Sequence, residues 1–107
     1  MFKKTYLFLI GVIIGASSDL IMASEPSKNQ IAVCAGCHGP HGFSSMPNYP
    51  NLANQKKDYL IKSLRDFKKE IRKDPTMDAI VASLSDSDIE ALATYYANLS
   101  CQAPKEQ

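Results

Sequence analysis

Cys34-Ala35-Gly36-Cys37-His38 constrains this chain more than any other five residues in it. On a helical turn, residues three and four apart share a face, so two thiols and an imidazole converge on one ligand. Any fold the chain adopts has to wrap that ligand. Size sharpens the demand, because a single domain within 107 residues builds only a marginal core from its own side chains.

The pattern C-x-x-C-H is the attachment site of a c-type haem: the thiols of Cys34 and Cys37 add across the vinyl groups and His38 ligates the iron. Two other chemistries compete. A structural zinc site needs a fourth ligand, and the spare candidates are His41, crowded against the motif, and Cys101, near the other end of the chain. A redox dithiol needs a strand-rich βαβ setting, and no stretch of this sequence alternates like a strand. One covalently bound haem c is the favoured reading.

The N-terminus carries a second signal. Lys3 and Lys4 precede an apolar run from Tyr6 to Ala16, followed by Ser17, Ser18 and Asp19 and then by Ile21-Met22-Ala23. That is the layout of a secretory signal peptide over residues 1–23, with the functional domain at 24–107 and a periplasmic destination. A retained membrane anchor is the alternative and the one route to membrane association, although the run is short for a bilayer and Asp19 interrupts it. Export agrees with the haem reading, since bacteria attach c-type haem on the far side of the cytoplasmic membrane.

Beyond residue 23 acidic and basic residues balance, ten of each. They are segregated, however: eight basic residues stand against Asp58, Asp66 and Glu70 between positions 56 and 73, and the stretch from 74 onward is acidic. Such a balance gives nucleic acid no basis as a partner, while a dipolar surface can orient a protein partner. Ordinary solvated helix faces are the plainer account of the same charges.

The elements are helical throughout. Ser27-Lys28-Asn29-Gln30 reads as a capping box opening a short helix from about Lys28 into Cys37. Pro40, Pro47 and Pro50 make residues 39–54 a loop, in which Phe43, Met46, Tyr49 and Leu52 could pack on a porphyrin face or simply on one another. Leu60, Leu64, Phe67 and Ile71 form the inward stripe of a helix over 56–72, with Lys62, Arg65, Lys69 and Arg72 outward. Lys73 to Thr76 breaks the pattern, and Ala79 to Leu84 has room for one or two helical turns. Ser85-Asp86-Ser87-Asp88 is a further capping box, opening a last helix from Asp86 to about Leu99 whose buried stripe is Ile89, Leu92, Ala93, Tyr96 and Leu99.

A second axial ligand follows from spacing. Past residue 23 only Met46 and Met77 remain as thioethers. Met46 is eight residues after His38 and would have to wrap sharply around the ring edge, whereas Met77 lies beyond the second helix and reaches the far face readily. Pro75 is expected to keep the backbone before Met77 irregular, as suits a ligand-bearing loop. Met77 is therefore the expected ligand, with Met46, His41 and an open position as alternatives. A thioether favours reduced iron, and a filled sixth position leaves no place for peroxide or oxygen, so the chain reads as an electron carrier and not an enzyme. His41 is expected at the surface. Cys101, left over from haem attachment, is expected as a partly buried thiol, with an intermolecular disulfide dimer as the alternative.

The motif with Gly39, Gly42, Pro50-Asn51-Leu52-Ala53-Asn54-Gln55, Tyr59-Leu60, Phe67, Met77, Leu84-Ser85-Asp86 and Asp88-Ile89 resembles the bacterial class I cytochromes c. The similarity is to one domain of the dihaem periplasmic cytochromes and their small monohaem relatives, over residues 27 to 100. The resemblance implies an all-α fold in which the first and last helices cross around one haem with an exposed edge. It also implies that Pro50 offers its carbonyl to the His38 ring N–H, and that partners are redox proteins: a membrane oxidase, a reductase or a periplasmic dehydrogenase of which the chain could be a subunit. A peroxidase or gas-binding protein is the more distant alternative. Two departures stand out, a single C-x-x-C-H and a short first helix.

Overall fold

The computed structural model describes residues 24–105 and, before them, only Gly11 and Gly15. The expected signal segment, residues 1–23, therefore lies outside the described residues apart from those two glycines. Four helices account for the regular structure among the described residues: α1 Lys28–His38, α2 Lys57–Lys68, α3 Pro75–Val81 and α4 Asp86–Ala97.

α1 opens as the capping box requires. Ser27 Oγ accepts from the Gln30 amide at 3.1 Å, and Gln30 Oε1 accepts from the Ser27 amide at 2.9 Å. It closes at Gly39, whose φ of 85° turns the chain out of the helix while its N–H still reaches the Ala35 carbonyl. A Cβ there would stand 1.8 Å from the Phe43 carbonyl oxygen, so only glycine fits.

α2 ends a turn earlier than its apolar rhythm suggests. Glu70 adopts φ 58°, its N–H donates to the Phe67 carbonyl at 3.1 Å, and the Ile71 N–H reaches back to Asp66 O at 2.9 Å. This pair of bonds is the Schellman stop, here with glutamate where glycine is usual. Ile71, expected on the buried face, is consequently 71% exposed.

α3 starts earlier than expected and contains Met77. Asp74 Oδ1 accepts from the amides of Thr76 and Met77 at 3.0 and 2.9 Å, and Pro75 occupies the first turn, where a missing N–H costs nothing. The expectation of irregular backbone ahead of Met77 is corrected: Pro75 initiates the helix that carries it.

α4 repeats the capping box, with Asp88 N–H donating to Ser85 Oγ at 3.1 Å and Asp88 Oδ2 accepting from Ser85 N–H at 2.8 Å. It ends at Ala97, two residues short of the expected Leu99, as the chain tightens into a turn bonding Leu99 N–H to Tyr96 O.

α2 packs on both α4 and α3. Their shared core joins Leu60 and Phe67 to Val81, Leu84, Ile89, Leu92, Ala93 and Tyr96, with Val81 and Ile89 wholly enclosed. Arg65 ties α2 to α4 through Asp86 and Glu90, at 3.4 and 3.5 Å, and Lys68 donates to the Leu84 carbonyl. α1 meets this core only through the partly buried Ile31 and Cys34.

Candidate functional site

A cavity of about 520 Å³ opens between α1, the 39–54 loop and the α2–α3–α4 core. Its volume is that of a pocket for a sizeable organic ligand. Cys34, Cys37 and His38 line it from α1, Leu60, Leu64 and Phe67 from α2, Met77 and Ile80 from α3, and Leu92 and Tyr96 from α4. The inward stripe of α2 thus has two duties, closing the core and walling the cavity.

His38 is the one buried residue of α1. Its Nδ1 donates to the Pro50 carbonyl at 2.8 Å, as the family resemblance implied, which fixes the tautomer and leaves Nε2 as the lone-pair nitrogen available to a metal. The loop that brings Pro50 there is pinned at both ends. Gly42, at φ 75°, accepts from the amides of Leu52 and Ala53, and a Cβ on it would come within 2.8 Å of the Ala53 nitrogen. Asn54 donates its backbone N–H to Tyr96 O at 2.9 Å and its side-chain amide to Ala97 O at 3.4 Å, clamping the loop on the end of α4. Ser44 adds a bond from its hydroxyl to the Cys37 carbonyl at 3.1 Å.

Cys34 and Cys37 are both half-buried and bonded to no other cysteine. Burial pushes the Cys34 thiol above its ordinary pKa. Tyr96 is 3% exposed and its Oη has no hydrogen-bond partner, an orphaned polar atom on a cavity-lining residue. Burial likewise pushes its pKa up, so it remains a neutral donor. Two thiols, an oriented imidazole, apolar walls and an unsatisfied hydroxyl fit a covalently attached haem. Here Cys34 and Cys37 would hold it and His38 would ligate its iron.

Of the loop residues expected to pack on a porphyrin, Tyr49 and Leu52 line the cavity and Phe43 and Met46 do not; Met46 is 52% exposed. His41 is exposed and outside the cavity lining, as expected. Cys101 is exposed rather than partly buried: α4 has already ended at Ala97, and Leu99 is the last residue that packs against the core. Further residues reach the cavity: Tyr59 and Val33, each about half exposed, and Arg72 and Lys73, of which Val33 and Lys73 had been given no place at the site by the sequence. The break in helical pattern at Lys73 was the signal that could have found that residue.

Comparison with known proteins agrees with this geometry. Residues 23–95 match the family described as cytochrome C oxidase, cbb3-type, subunit III. The chain is 34% identical to cytochrome c-553 of Helicobacter pylori over 97 residues, covering 90% of this chain and 98% of that protein. It is 42% identical to cytochrome c4 of Pseudomonas aeruginosa over 67 residues, which are 63% of this chain and 33% of that one. The crystal structure of reduced cytochrome c4 from Pseudomonas stutzeri superposes with a TM-score of 0.59 at 27% identity, over 74% of this chain and 53% of that one. The chain therefore spans about half of that solved cytochrome c4, a third of the Pseudomonas aeruginosa protein and nearly all of cytochrome c-553. The fold is the all-α class I cytochrome c fold, and with a haem-attachment motif facing a cavity of this shape, the chain belongs to the cytochrome c family, as an electron carrier with one covalently bound c-type haem.

Proposed function

We propose that this chain is a periplasmic one-electron carrier whose haem iron is held between His38 Nε2 and the sulfur of Met77. The observation that carries the reading is that His38 at the end of α1 and Met77 on the first turn of α3, far apart in sequence, line the same cavity. The haem supplies the Fe(III)/Fe(II) couple. The chain's own contribution is to orient the imidazole through Pro50, to hold Met77 on a capped and proline-initiated turn, and to surround the site with Leu60, Leu64, Phe67 and Leu92, which exclude water and favour the reduced, less charged state.

Residues 1–23 serve as the export signal in this reading, and the partners are periplasmic or membrane-bound redox proteins: an oxidase, a reductase or a dehydrogenase. The matched family description names an oxidase subunit, so co-purification with a membrane oxidase distinguishes a bound subunit from a free shuttle.

The test is the ferric optical spectrum of the haem-loaded protein, in which methionine sulfur on iron gives a weak long-wavelength charge-transfer band. The band is expected in the wild type and absent in Met77→Ala, with a lowered reduction potential. Survival of the band in Met77→Ala, or prompt carbon monoxide binding by the ferrous wild type, refutes Met77 as the ligand.

A further inference from the structure

A second cavity, of about 190 Å³, shares no lining residue with the first. Ser24, Glu25 and Pro26 enclose it against the C-terminal half of α4, where Thr94, Tyr95 and Asn98 face it.

The electrostatics of this cavity favour a cation. Glu25 and Tyr95 are its ionisable lining residues, no lysine or arginine lines it, and among the described residues no basic side chain pairs with Glu25. α4 adds the negative end of its dipole, with no basic residue in its last turn. The hydrogen bonds on its final carbonyls come from neutral donors: the Asn98 amide on Thr94 and Tyr95, and the Asn54 amides on Tyr96 and Ala97. Tyr95 supplies an aromatic wall, which suits a positive charge as well.

We propose that the cation is the chain's own: the α-ammonium of Ser24, created when the export signal is removed after Ala23, docks in this cavity and fastens the start of α1 to the end of α4. The inference rests on the reading of residues 1–23 as an export signal. Hydrolysis by a signal peptidase adds one water across the peptide bond between Ala23 and Ser24, leaving a carboxylate on the departing segment and the ammonium on Ser24. Before cleavage the same nitrogen is an uncharged amide, so the charge arrives with processing. Ser27, which caps α1, follows directly after Pro26. Fixing Ser24 therefore restrains a helix that otherwise meets the core only through Ile31 and Cys34.

The experiment follows acetic anhydride labelling of the Ser24 amine against pH in the exported, haem-loaded protein, read by mass spectrometry of the N-terminal peptide. The reference is the free peptide of residues 24–27, which has the same glutamate beside the amine but no α4. An α-amino group ordinarily titrates at about 7.7–8.0. In the folded protein that value should be raised, and labelling near pH 8 should run roughly two- to fivefold slower than in the peptide, the scale of an exposed ion pair. Glu25→Gln should recover most of the peptide's rate. Glu70→Gln, the same charge change at an exposed position outside the cavity, should not. With the folded value raised, the amine's share of stability is complete below about 7.7 and is lost as pH rises through the folded value. At neutral pH, α1 amides should accordingly exchange faster in protein acetylated at Ser24 than in the free-amine form. Equal labelling of protein and peptide, or no response to Glu25→Gln, overturns the proposal. The mass of the mature chain reports the cleavage point separately: a chain beginning elsewhere refutes the boundary at residue 23, and docking is then read on protein released at Ser24 by a specific protease.

Discussion

α1 and α4 begin with the same device and end in different situations. Each opens on a serine capping box, Ser27 with Gln30 and Ser85 with Asp88. Yet α4 buries Ile89, Ala91, Leu92, Ala93 and Tyr96 against its neighbours, whereas α1 buries only His38. A helix with so little apolar burial is not held by protein packing, since most helical stability in proteins comes from an apolar face docked on something. In α1 that something is the cofactor: the side facing inward carries Cys34, Cys37 and His38, and their packing partners are supplied when the haem is attached. α4 is scaffold and α1 is a ligand-dependent wall.

The widest gap between the two helices should open on removing the covalent link. Cys34→Ala/Cys37→Ala is expected to leave a largely unfolded chain by circular dichroism, with residual helix confined to the α2–α4 pair and no hydrogen-exchange protection in α1. Retention of full helicity without haem would end the distinction.

Next in size is a cavity made in the scaffold. Ile89 is wholly enclosed, so Ile89→Ala should cost about 2–5 kcal/mol in denaturant unfolding of the haem-loaded protein. A loss well below that range would mean that the haem, and not α4, holds the core.

The two caps allow a finer comparison. Ser85→Ala should lower global stability by about 1 kcal/mol. Ser27→Ala, by contrast, should show itself chiefly as faster amide exchange across α1, with the unfolding midpoint little changed. Equal global losses from both would show that α1 is as tightly coupled to the fold as α4.

The smallest effect is a titration. The Gln30 side chain first, and the Ser85 cap with it, hold the Asp88 carboxyl below its ordinary pKa of 3.8. A depressed carboxylate contributes stability that is complete above 3.8 and is lost as pH falls through the lower folded value. The thermal midpoint should therefore drop on acidification below that point, and Asp88→Asn should flatten this limb. Because Gln30 belongs to α1, Gln30→Ala should flatten it in part as well; no change would break the link between the two helix starts.

Much of this was legible in advance. Both capping boxes are local, three residues apart, and their hydrogen bonds form wherever the chain is helical, so the starts of α1 and α4 were read to the residue. The stripes of Leu60, Leu64 and Phe67 and of Ile89, Leu92 and Tyr96 follow from helical periodicity alone. Helix ends were harder, because a helix stops where a competing set of bonds is better. No glycine announces the stop at Glu70, and the pattern through Ile71 and Arg72 favoured continuing. Pro75 was legible as a break but not as a beginning, since only the carboxylate of Asp74 turned toward two free amides distinguishes the two.

What the amino-acid order determined by itself is the chemistry and the helical pieces: two thiols and an imidazole at helical spacing, the capped starts, the apolar stripes. All of these act over a few residues, where covalent geometry leaves little choice. Only the tertiary structure decided which distant groups share the cavity. His38 and Met77 line it from α1 and α3, the Pro50 carbonyl comes within 2.8 Å of the imidazole, the Tyr96 hydroxyl is left without a partner, and Arg72 leaves the solvent face for the cavity rim. Those juxtapositions depend on how α2, α3 and α4 bury one another's side chains and on where two positive-φ glycines turn the loop, and these are long-range effects that no local spacing encodes.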